Sequence, residues 1–152
     1  MRILLVEEDP KISGFLLRGL REELAAELQA LQSMPAEHRE TTLLIVPQLL
    51  QDFLDFNDFL DEADALLQSL DLEGELQVAS FHPQFQFAGT APEDITNFTN
   101  RSPYPTLHLI REASIDRAVE AFPEAEDIYE ANMATMRKLG IEGWRKLWVT
   151  GS

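Results

Sequence analysis

The residues best suited to chemistry are two histidines and the arginine between them. His82 closes one short apolar run and His108 lies inside another, so pairing of those runs would put two imidazoles on neighbouring strands. Such a pair titrates near neutral pH and can serve as acid and base. The competing expectation for each is a core histidine bonded to a backbone carbonyl. Residues 82–104 follow neither the helical nor the strand period and are rich in Pro, Asn, Thr and Gly. A loop longer than about 12–15 residues in a compact domain is usually functional or disordered. Phe85, Phe87, Phe98 and Tyr104 argue against disorder here. Asn97, Asn100, Arg101 and Ser102 come near its end, with Tyr104 between Pro103 and Pro105. An arginine on a proline-stiffened turn can grip a carboxylate or phosphate at two points. Alternatively, the Asn and Ser side chains satisfy the loop's own backbone and Arg101 pairs with a helix acid. The expected ligand is a small anion, since Arg101 would be an isolated cation in a negative chain.

Other constellations are weaker. Glu8 and Asp9 follow the first apolar run, and two carboxylates at a strand end suit a hard cation, although Asp9 serves equally as a helix N-cap. They do not make a metal site alone. The histidine pair lacks a third ligand, and no cofactor is expected. Asp52, Asp55, Asp58, Asp61 and Asp64 recur every third residue, which spreads them around a helix as a solvated flank. Asp55 and Asp58, near the helix start, complement its dipole and could face the loop. Trp144 and Trp148 are expected to pack on the core or, if exposed, to form a partner-binding patch. The two Asn-X-Thr/Ser triplets at Asn97 and Asn100 carry no weight without a secretory signal.

Composition sets the frame for these residues. The 152 residues fit one domain, and 45% hydrophobic with 26% charged residues is ordinary for a globular chain. Net charge is −15, so nucleic-acid phosphates and anionic lipid would be repelled unless a basic patch exists. Arg137-Lys138, Arg145-Lys146, Arg18 and Arg21 are too few and scattered to form one. Nucleic acid and membrane are not expected partners. The absence of cysteine removes disulfides, thiolate nucleophiles and cysteine-based zinc sites. The apolar run at the N-terminus is too short for a signal peptide or a membrane span, so a cytoplasmic location is expected.

The elements that must position the candidate site follow from periodicity. Ile3–Val6 and Leu43–Val46 are continuous apolar runs typical of buried strands. Asp9-Pro10 opens a helix with the stripe Ile12, Leu16, Leu20, Leu24, Leu28 and Leu31, ended by Met34-Pro35. A second helix is predicted from about 48 to 70, facing inward through Phe53, Phe56, Leu60, Ala63, Leu67 and Leu70, with Gly74 as its stop. Leu76–Phe81 and Thr106–Arg111 read as strands. Ser114 is the expected cap of a helix interrupted at Pro123 and resumed to Leu139-Gly140. The order β-α-β-α-β-loop-β-α predicts a mixed, mostly parallel four-stranded α/β sheet with flanking helices, the last pair free to run antiparallel.

Two resemblances accompany this pattern. Residues 1–23, MRILLVEEDPKISGFLLRGLREE, resemble the start of a response-regulator receiver domain, which implies a Mg²⁺ role for Glu8 and Asp9. A receiver also places an aspartate after its third strand and a lysine after a later one. Here His82-Pro83 and Arg111-Glu112 stand in those places, so a phosphorylatable receiver is not expected. Residues 24–143 resemble the bacterial family termed domain of unknown function 1415. The resemblance rests on Thr41-Thr-Leu-Leu-Ile, the segment from Leu50 to Asp61, Ala79-Ser-Phe-His-Pro, Phe85-Gln-Phe-Ala, and the segment from Thr99 to Glu112. That family usually begins with a Cys-Pro segment that this chain lacks. The receiver-like start in its place suggests a hybrid: a natural fusion, an engineered chimera or a computer-generated sequence. Two functions remain open: binding or turnover of a small anion at 82–104, and a non-enzymatic acidic interaction module or scaffold.

Overall fold

A computed structural model describes residues 1–6, 13–122 and 124–147, without the side chains of residues 13–16, 125 and 126. Glu8, Asp9 and Trp148 lie outside the described residues. The elements are β1 (Arg2–Leu5), α1 (Ser13–Ser33), β2 (Thr41–Ile45), α2 (Phe53–Ser69), β3 (Leu76–Phe81), a 3-10 helix (Ile95–Asn100), β4 (Thr106–Arg111), α3 (Glu112–Ala121) and α4 (Ala125–Leu147).

The sheet order is β1-β2-β4-β3. β1 runs parallel to β2, whereas β4 is antiparallel to both β2 and β3. The sheet is therefore mixed and mostly antiparallel, which corrects the mostly parallel sheet expected from the sequence. The expected direction of β1, β2 and β3 holds, since each helical crossover returns the next strand the same way. The expectation failed on order. β4 inserts between β2 and β3, and one reversed strand in an inner position makes two antiparallel ladders. The final pair is antiparallel, as the missing helix between them allowed.

One face of this sheet carries the core. Leu20, Leu24, Leu28 and Leu31 of α1 are fully buried, four residues of the stripe read from the sequence. They meet Phe56, Phe59, Ala63, Leu66 and Leu67 of α2 and Leu44, Leu107, Leu109 and Leu76 of the strands. α1 and α2 thus lie on the same side. Glu27 interrupts the leucine stripe. It is buried, with Arg2 at 3.1 Å and Arg39 at 3.6 Å supplying the opposite charge that a buried carboxylate requires. The other face, through Leu43, Ile45, Ala79, Phe81, His108 and Ile110, is half-buried, and Ile3 and Leu5 at the β1 edge are exposed.

Two helix starts and one helix stop signal differ from expectation, while α2 ends at Ser69 as expected. α2 begins at Phe53, not near residue 48, because Leu50 adopts a left-handed conformation (φ 57°) and Asp52 caps the helix through Leu54 N and Asp55 N. α2 is terminated before Gly74 by Asp71, also left-handed (φ 56°), with Leu72 N reaching back to Leu67 O in a Schellman arrangement. α3 starts at Glu112, not at a Ser114 cap, since Glu112 N still bonds Glu75 O and the chain passes directly from ladder to helix. α4 bends at Gly140 (φ 64°), a value a side chain would resist.

Candidate functional site

The long connection from β3 to β4 is an ordered structure held by its own polar side chains. Asn97, fully buried, is its hub: Oδ1 accepts from Phe87 N (2.8 Å) and Thr90 Oγ1 (3.0 Å), and Nδ2 donates to Ala91 O (2.8 Å). Asp94 caps the 3-10 helix by accepting from Thr96 N and Thr96 Oγ1, and these bonds hold its carboxyl below the usual carboxylate range. Asn100 ties the segment to β3, its Nδ2 donating to Ser80 O and its carbonyl accepting from His82 N. Ser102 Oγ donates to Tyr104 O at 2.6 Å, while the Tyr104 side chain is exposed. Asn97, Asn100 and Ser102 thus build the loop, the alternative role the sequence left open for them.

His82 is enclosed in the core. Its Nδ1 accepts from Gln84 N (2.9 Å), so Nε2 carries the proton that it donates to Leu50 O (2.9 Å). The ring lies between Phe53 and Phe56, with centroids 5.3 and 4.9 Å away. Burial pushes its pKa down despite the opposing pull of the Leu50 carbonyl and Asp52. The second bond has a structural purpose, because it anchors the left-handed turn at Leu50 that precedes α2. His108 faces the other way. It pairs across the sheet with Leu43 and Ala79, on the half-buried face, and its Nε2 lies 2.6 Å from Thr41 Oγ1. Thr41 donates to Leu109 O, so His108 Nε2 is again the protonated nitrogen, and burial lowers this pKa as well. The histidines occupy adjacent chain segments but opposite faces, and the structure does not bring them together.

Arg101 occupies a different setting. Its Nε donates to Phe85 O and one Nη to Pro92 O, both at 2.9 Å, and its guanidinium carbon lies 4.5 Å above the Phe98 ring. No ion pair to Arg101 occurs among the described residues. Partial desolvation lowers its pKa from an ordinary value so high that the group stays charged. It borders a cleft of about 870 Å³ whose walls include Phe53, Gln84, Gln86, Ile141 and Trp144. A smaller concavity of about 220 Å³, lined by Pro83, Ser102, Pro103 and Trp144, also borders Arg101.

The bend at Gly140 delivers Trp144 to this cleft, where it meets Phe98 edge-on at 5.5 Å. The sequence missed Gln84, Gln86 and Ile141. The only available signal was the Gly140 break followed by Ile141 and Trp144 at helical spacing. A second cleft of about 880 Å³ lies by the starts of the long helices, where Asp55 and Asp58 join Arg18, Arg21 and Glu62. Arg21 is already paired with Glu62 there. No group of three or more His, Asp or Glu suited to a metal ion occurs among the described residues. No described helix is long and apolar enough to cross a membrane.

Residues 16–146 match the model of the family described as protein of unknown function (DUF1415). That span takes in residues 16–23 of the receiver-like segment. No curated protein and no solved structure matches the chain.

Proposed function

The chain belongs to the DUF1415 family, and we propose that it binds a small organic anion with an apolar body in the cleft beside Arg101. The observation that carries this reading is a guanidinium with no ion pair among the described residues, in a chain of net charge −15. Surplus carboxylates surround it throughout the molecule, yet Arg101 is held by two carbonyls and a ring, which fix it without neutralising it. Its orientation is preorganised, which lowers the cost of ordering on binding. Phe53, Phe98, Ile141 and Trp144 offer the apolar wall, and Gln84 and Gln86 offer neutral hydrogen-bonding groups. Two acids line the cleft, Asp52 and Glu93; Asp52 is engaged with two backbone N–H groups of α2. Binding is what the geometry supports. Turnover by the two histidines would need both rings at one substrate.

The test is thermal shift followed by calorimetry with aryl carboxylates and aryl phosphates. A ligand at a hundred times its Kd adds about 2.7 kcal/mol to stability, a rise of several degrees in Tm. Arg101→Lys keeps the charge but loses the planar fork, and should weaken binding about tenfold. Undiminished binding by a folded Arg101→Gln variant would overturn the proposal.

A further inference from the structure

We propose that the α3–α4 corner is a docking surface for a basic amphipathic helix of another polypeptide. α3 has no buried residue, although a ten-residue helix is marginal in water without packing. Its apolar side ends in Val119 (49% exposed) and Phe122 (61%), one helical turn apart. Across the corner, Phe122 joins Ile128 (46% exposed) and Ala131 of α4 around a groove of about 330 Å³. Glu124 and Asp127 form the rest of its lining. Large apolar side chains this exposed, beside one another and bordered by acids, mark an interaction site.

Charge selects the occupant. Neither Glu124 nor Asp127 has an ion pair among the described residues. A partner that covers the groove must therefore bring cations to its border, or leave two carboxylates facing a drying interface. A second copy of a chain at −15 would set acids against acids if the same corner met itself. An anionic lipid surface is repelled for the same reason. A helix with leucines on one face and lysines on the flanks meets both requirements. This surface is distinct from the Arg101 cleft, at the opposite end of α4, so each can fail without the other.

The experiment is fluorescence anisotropy with a labelled Leu/Lys amphipathic peptide of about 18 residues, against a scrambled peptide of equal charge. The expected Kd is on the order of 10 µM for the first and at least about tenfold weaker for the second. Phe122→Ser combined with Ile128→Ser, and separately Glu124→Lys combined with Asp127→Lys, should each weaken binding about tenfold while the melting curve stays in place. Asp61→Lys combined with Asp64→Lys, on the exposed flank of α2, should change it less than about twofold. Equal loss from that remote pair would reduce the effect to net charge and overturn the proposal. So would full binding by the patch variants. Sedimentation provides the last arm: a wild-type dimer that the Phe122→Ser, Ile128→Ser variant dissociates would give the groove to a second copy and refute the basic-helix partner.

Discussion

His82 shows how a single residue can be functional chemistry in type and architecture in fact. Its ring satisfies a donor at Gln84 and an acceptor at Leu50, a pattern possible only for the neutral Nε2–H form. Protonation would place a second N–H against the Gln84 donor inside an apolar wall. Folding therefore lowers the ring's affinity for a proton. The unfolded chain, with a pKa near about 6.5, gains protons first as pH falls, so stability is full above that value. It is lost on descent towards the lower folded-state pKa. The urea-unfolding free energy should fall from pH 7.5 to pH 5, with a limiting slope of about 1.4 kcal/mol per pH unit for each histidine that titrates. His82→Gln should reduce that slope at some cost in stability, and His108→Gln should remove the remaining part. A flat profile in the wild type at about 1 M NaCl, where repulsion between surface carboxylates is screened, would show that neither ring is held neutral.

At the scale of elements, much was legible. β3 and β4 lie on the residues that read as strands, and the α1 leucines are buried in register, because period and burial are local properties. Pairing order is not local. Nothing in Thr106–Arg111 states that it lies between β2 and β3, and without that register no count of alternation can put His82 and His108 on opposite faces. Asn97 had the residue type for a loop hub, but the partners Phe87 and Ala91 emerge only once the loop closes. Arg101 stood out because an isolated arginine in an acidic chain is a compositional signal. Glu27 could have been found too: an acid inside a leucine stripe must be buried with a partner. Arg111 was beyond reach. One of its terminal nitrogens lies 2.7 Å from the carbonyls of Leu31, Met34 and Arg39, so the end of β4 clamps the last turn of α1 and the turn before β2. Three carbonyls thus share the two N–H groups of one cationic nitrogen. Arg111→Met should lower the unfolding free energy by about 3–6 kcal/mol, since the two N–H groups of that nitrogen make charge-assisted hydrogen bonds of about 1.5–3 kcal/mol each. Arg111→Lys should lose less, because an ammonium can still reach part of the cluster. If the Met variant melts with the wild type, the clamp has no energetic role.

The whole molecule carries 27 acidic residues against 12 basic, and the acids are concentrated on outer faces such as Asp55, Asp58, Asp61 and Asp64 of α2. Such an excess opposes compaction, because folding brings like charges closer than they are in the unfolded chain. The same excess disfavours the anion proposed beside Arg101, which local contacts must hold, and favours the cationic partner proposed for the α3–α4 corner. Salt separates this global term from the local ones. At 1 M NaCl the screening length is about 3 Å, shorter than most distances between surface carboxylates but too weakly felt inside the core to alter His82. The urea midpoint at pH 7.5 should therefore rise between about 10 mM and 1 M NaCl, whereas the downward slope from pH 7.5 to pH 5 should steepen in high salt. The steepening follows because partial protonation of carboxylates relieves repulsion at low salt and offsets the histidine loss, and that relief is absent once the charges are screened. A midpoint that falls with salt would mean that the ion pairs at Glu27, Glu40 and Glu62 outweigh the repulsion, and that the net charge is not the term opposing this fold.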